Sequence, residues 1–130
     1  MNQLVTVTLF SKNFEESMQF YCKWLGFNIS YDWNKPNDER IVRLQNTAYN
    51  LEISLRMPQS EWENQLIGKQ SSDSPFFSLH TKDLEKLYNS LLKDGAPFSR
   101  ELAQPPFGDF AYLRDPDGNE IGLVEYWLPM

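Results

Sequence analysis

The chain has 130 residues, of which 41% are hydrophobic and 15% aromatic, enough for a compact domain with its own core and too apolar for a disordered segment. A net charge of -6, with no basic patch interleaved with aromatics, argues against a phosphate backbone as partner and so against nucleic acid. No run approaches the ~20 apolar residues of a membrane span. The single Cys22 allows no internal disulfide and says little about compartment. The opening MNQLVTVTLF lacks the basic and apolar regions of a secretory leader, so no membrane partner and a cytoplasmic setting are expected.

In chain order, QLVTVTLF alternates, with Val5, Val7 and Leu9 against Thr6, Thr8 and Phe10, which predicts a half-buried strand. A helix follows. Asn13 is placed to cap it, Glu16 stands three residues on, and Phe14, Met18, Tyr21, Cys22 and Leu25 recur at helical spacing before Gly26. The stretches FNISYDW, RIVRLQN and NLEISLRM read as strands separated by NKPND and NTAYN. A polar connector with a short helix in QSEWENQLIGK leads to a fifth strand, FFSLHT. The second helix begins near Asp83, with Leu84, Leu87, Tyr88, Leu91 and Leu92 on one face and Gly95 just past its end. Strands PFSRE, DFAYLR and NEIGLVEYW complete the chain.

The order βαβββ therefore occurs twice. Phe14, Met18, Tyr21 and Cys22 have counterparts seventy residues later in Leu84, Tyr88, Leu91 and Leu92, and Leu51 and Ile53 have theirs in Ile121 and Leu123. The expected organisation is one α+β domain over 1–130, with modules 1–57 and 75–130 joined by a connector over 58–74.

NFEESMQFYCKWLGF (13–27) and YLRDPDGNEIGLVEY (112–126), in that order within a duplicated frame, make the chain resemble the vicinal oxygen chelate superfamily of glyoxalases, bleomycin-resistance proteins and extradiol dioxygenases. The resemblance covers essentially the whole chain and implies two tandem βαβββ modules, with eight strands in two curved mixed sheets, helices outside and a cup inside. It also implies a homodimer. Function does not follow from the fold.

Alternation assigns Thr6, Thr8 and Phe10 to the cup, with Asn50, Glu52, Ser54 and Arg56 from the fourth strand and Phe76, Ser78 and His80 from the fifth. The Asp115–Asn119 turn places Arg114 opposite Glu120, Tyr112 opposite Gly122 and Phe110 opposite Val124. DPDGN lacks the later ligands of a calcium loop and reads as a hairpin turn.

Metal-dependent members of the superfamily carry ligands on the first, fourth, fifth and eighth strands. The matching positions here are Thr6, Glu52, Phe76 and Gly122, and only Glu52 is a good ligand, so neither metal nor cofactor is expected. His80, the only histidine, is either a base near the rim or a strand residue bonded to a neighbour. Glu52 is either a polar contact, a general base, or an ion-pair partner of Arg43 or Arg56. Cys22 reads as a small core residue. Tyr31, Trp33, Phe76, Phe110 and Tyr112 form either a stacking surface or core filling, and Trp62 lies over a pocket mouth or packs the connector.

The leading expectation is a metal-free small-molecule-binding protein, sequestering an aromatic or cationic compound through Thr6, Thr8, Glu52, Ser54, Phe76, Ser78, His80, Phe110, Tyr112 and Gly122. One alternative is a metal-dependent lyase, isomerase or dioxygenase using a shifted set such as Glu52, His80 and Glu120. Another is a ligand-free dimeric interaction module.

Overall fold

A computed structural model describes residues 4–34, 39–72 and 74–126. The described chain runs β1 (Val5–Phe10), α1 (Phe14–Leu25), β2 (Asn28–Trp33), β3 (Ile41–Asn46), β4 (Leu51–Arg56), α2 (Glu61–Gln65), β5 (Phe77–His80), α3 (Leu84–Lys93), β6 (Phe98–Ala103), β7 (Gly108–Arg114) and β8 (Glu120–Tyr126). This is the order βαβββ twice, with α2 between. Trp127, read as the end of the last strand, lies outside the described residues, as do positions 35–38 of the NKPND break.

The chain divides into two compact units, Met1–Gln70 and Ser71–Met130. Each holds a four-stranded mixed sheet, ordered β1-β4-β3-β2 in the first and β5-β8-β7-β6 in the second. In both, the first and last strands of the module pair in parallel and the remaining pairs are antiparallel.

In the first unit α1 starts where Asn13 accepts a hydrogen bond from the Glu16 amide (3.1 Å) and stops at Gly26, whose φ of 72° suits a residue without Cβ. The helix lies over β2 and β3. Phe14, Phe20, Tyr21, Leu25 and Phe27 pack there with Val42, Leu44, Ile53 and Leu55. The buried stripe differs from the expected one: Met18 and Cys22 are half-buried, while Ser17 and Phe20 are buried. Ser17 can go inside because its hydroxyl meets Ser11 Oγ at 2.7 Å. Of the apolar set on β1 only Leu9 is buried, and Val5 is 58% exposed. The reason is topological: β1 is the sheet edge remote from the helix.

That edge is not bare. The Gln70 side-chain amide accepts from the Phe10 amide (2.9 Å) and donates to the Thr8 carbonyl (3.0 Å), so one side chain mimics a short neighbouring strand.

In the second unit α3 lies over β6, β7 and β8. Leu84 and Tyr88 are buried, joined by Leu79, Leu113, Ile121 and Leu123. Leu92 is exposed, because it stands at the last turn, on the edge of the stripe. The Glu125 carboxylate reaches from β8 to the start of α3 and accepts from the Leu84 amide (3.0 Å) and the Asp83 amide (3.3 Å), placing a negative charge at the positive end of the helix.

Candidate functional site

The hairpin that builds the second unit's open face is set by Asp115, which is buried. Its Oδ1 accepts from the amides of Asp117 (3.0 Å) and Asn119 (2.9 Å), and its Oδ2 from the Asn119 side chain (3.1 Å). Both carboxylate oxygens are spent on their own loop, so the segment is a hairpin turn, as its spacing predicts. The register follows: Arg114 stands opposite Glu120, Tyr112 opposite Gly122 and Phe110 opposite Val124.

On the face away from α3 these strands border a concavity of about 300 Å³, lined by Pro75, Ser78, Phe107, Phe110, Tyr112 and Tyr126, with Val124 at its floor. Phe107 and Phe110 are parallel, with centroids 6.2 Å apart and planes within 6°. Phe110 and Tyr112 are 5.8 Å apart, and the His80 ring meets Tyr126 edge-on at 4.8 Å. The Arg100 guanidinium lies 5.1 Å from the Phe110 centroid and 5.6 Å from that of Tyr112. Arg100 pairs with Tyr112 between two register shifts in β6, the kind of bulge that re-aims a side chain. A concave apolar surface with few polar groups is the usual composition of a small-molecule site.

Gly122, beneath the Ser78 side chain that lines the concavity, is glycine for a steric reason. A Cβ there would fall 2.3 Å from Ser78 Oγ and 3.1 Å from Ser78 Cβ. The parallel pairing also corrects an expectation. In the first unit Thr6 pairs with Glu52, but in the second Ser78, not Phe76, pairs with Gly122. Phe76 precedes β5, where its amide donates to the Glu120 carbonyl at 2.7 Å, and it does not line the concavity. A slip of two residues keeps every side chain on its face, so alternation along the strand could not reveal it.

The second unit's residues do not fit the metal of the superfamily's metal-dependent members. Ser78 offers a weak hydroxyl donor, and at 122 an eighth-strand carboxylate has no room. The shifted set fails as well. His80 stands opposite Val124, four residues along β8 from Glu120, a separation of about 13 Å. Glu120 instead accepts from the Ser99 hydroxyl at 2.7 Å. Among the described residues no group of three or more His, Cys, Asp or Glu is placed to hold a metal ion.

Thr6, Thr8, Glu52 and Ser54 lie in the first unit, on the sheet face opposite α1. There Thr8, Ser54, Arg43 and Tyr31 form one row across four strands. Thr6 donates its hydroxyl to Glu52 Oε1 (3.1 Å), and the Arg43 guanidinium lies over Tyr31 at 5.4 Å, so neither expected ion pair of Glu52 is the contact observed. Arg56 turns instead to Glu39 at 3.5 Å. Tyr31 and Trp33 meet edge-on at 6.3 Å, and Trp62 is exposed on α2. Burial pushes the Cys22 thiol up, away from the thiolate a nucleophile needs.

The structure thus joins Ser78, Phe110, Tyr112 and Gly122 of the expected residues in one place, with His80 beside Tyr126. It adds Phe107, Tyr126 and Arg100 to the expected residues. Tyr126 was legible, being in phase with Gly122 and Val124 on β8. Phe107, in the PPFGDF loop, carried no periodic signal.

Comparison with known proteins agrees with this architecture. Residues 3–123 match the family described as the Glyoxalase/Bleomycin resistance protein/Dioxygenase superfamily. An uncharacterized protein of Shewanella frigidimarina (strain NCIMB 400) is 26% identical over 124 residues, covering 94% of this chain and 92% of its own. The crystal structure of UcmS2 superposes with a TM-score of 0.76 at 25% identity, over 95% of this chain and 98% of that one. TnmS3, an antibiotic binding protein from Streptomyces sp. CB03234, gives 0.72 at 19% identity over 97% of both chains and shares the fold.

Proposed function

We propose that this chain, which belongs to the Glyoxalase/Bleomycin resistance protein/Dioxygenase superfamily, is a binding protein that holds a planar aromatic small molecule without a metal. The observation that carries the reading is the concavity of about 300 Å³ on the second sheet, where Phe107, Phe110, Tyr112 and Tyr126 gather around Val124 and Ser78. An aromatic ligand gains both area burial and ring–ring attraction there, the latter about 0.5–1.5 kcal/mol per pair. The likeness to an antibiotic binding protein supports the choice of a small organic ligand. Within this reading the protein sequesters its ligand and leaves it unchanged, and it works as a homodimer.

The test is calorimetric titration with neutral and charged naphthalene derivatives, on wild type and on Phe110→Ala. Binding in the micromolar range, weakened about tenfold or more in the variant, is expected. Absence of binding to every derivative sinks the reading in favour of a ligand-free interaction module. Binding that ignores the loss of Phe110 moves the site elsewhere.

A further inference from the structure

We propose that Arg100 makes the aromatic concavity selective for planar aromatic anions, such as carboxylates or phenolates, over the cationic compounds that the chain's net charge of -6 would otherwise attract. The inference rests on the aromatic site proposed above and names the class of ligand it takes. Its basis is the position and the chemical state of one side chain. The guanidinium stands 5.1 Å from the Phe110 centroid and 5.6 Å from the Tyr112 centroid, on a β6 segment with register shifts on either side of Arg100. Arg100, unlike Arg40 and Arg56, stands in no ion pair found among the described residues. Its planar fork is therefore open to bind a carboxylate through two parallel hydrogen bonds while the guanidinium stays beside the rings.

The local arrangement opposes the global charge. The nearby carboxylate of Glu120 is engaged by Ser99, and that of Glu125 is turned to the start of α3 on the other face of the sheet. An aromatic ammonium entering the concavity meets a fixed like charge at the ring faces it needs. An aromatic carboxylate meets a donor fork. Arginine in this place contributes area to any ligand and charge discrimination to one sign only, and that asymmetry makes the proposal testable.

The experiment compares naphthoate, naphthylmethanol and naphthylmethylammonium by calorimetry, on wild type, Arg100→Gln and Arg100→Glu. Wild type is expected to prefer naphthoate over the ammonium by about tenfold at low salt, with the preference shrinking as salt rises. Arg100→Gln should abolish the preference, weakening naphthoate by about tenfold more than naphthylmethanol, and Arg100→Glu should invert it. Equal or stronger binding of the ammonium by wild type overturns the proposal while leaving the aromatic site standing. So does an equal loss of all three probes in Arg100→Gln, which would make Arg100 a packing residue. If no probe binds wild type, the aromatic site itself is wrong and the proposal falls with it.

Discussion

A methyl group added at Gly122 arrives 2.3 Å from Ser78 Oγ and 3.1 Å from Ser78 Cβ, so the hydroxyl must rotate and the β5–β8 pair must part slightly to admit it. Gly122→Ala should therefore cost about 1–3 kcal/mol of stability, measured by urea unfolding. Ser78→Gly in the same chain should recover most of that cost. Additive losses in the double variant would show that the two positions do not compete for one space. The same residues mark how far single positions could be read. Glycine's meaning at 122 was legible as a missing side chain. The group that occupies its place was not, because a register slip of two leaves the alternation of FFSLHT unchanged. By contrast, the pairing of Tyr112 with Gly122 followed from DPDGN alone, since the chemistry of that turn fixes the register of the strands it joins.

Elements are tied to one another by polar contacts that periodicity cannot reveal. Arg40, just before β3, holds Asp32 of β2 through two bonds of 3.0 and 2.9 Å and also bonds Glu15 in the first turn of α1. The guanidinium holds both carboxyls below their usual range. Carboxyls depressed in the folded state lend stability above their unfolded pKa values and lose it as pH falls through the lowered folded ones. Arg40→Gln should then lower the urea midpoint slightly near pH ~6, and the gap to wild type should narrow as pH falls below the ordinary carboxylate range. A gap that persists in acid would assign Arg40's role to its packing over the Phe14 ring, 5.8 Å away. At this scale the sequence served well for helix ends, where Asn13 and Gly26 each act through their own local chemistry. It served less well for helix faces. Ser17 is buried on α1 because Ser11 satisfies it, and Leu92 is exposed on α3 because it stands at the last turn, on the edge of the stripe.

For the whole molecule, the duplicated βαβββ frame and the superfamily were both legible, because two modules with matching apolar positions leave few other architectures. The site was legible in part: strand phase found Phe110 and Tyr112, while Phe107 and Arg100 depend on a loop and a bulge that have no period. The metal-free reading makes one further prediction. Protein dialysed against nickel, zinc, manganese and iron should retain less than about 0.1 equivalent of any of them by elemental mass spectrometry, since a competent site needs three or more protein ligands. Retention near one equivalent, lost in Glu52→Gln, would restore the enzyme alternative. The Gln70 amide has a consequence of its own at this scale. It covers the end of the β1 edge with one acceptor for Phe10 and one donor for Thr8, and deamidation to glutamate keeps the first and destroys the second. A carboxylate then faces a carbonyl oxygen, the edge of the sheet opens, and the chemical ageing of one side chain becomes a route to strand exchange between molecules.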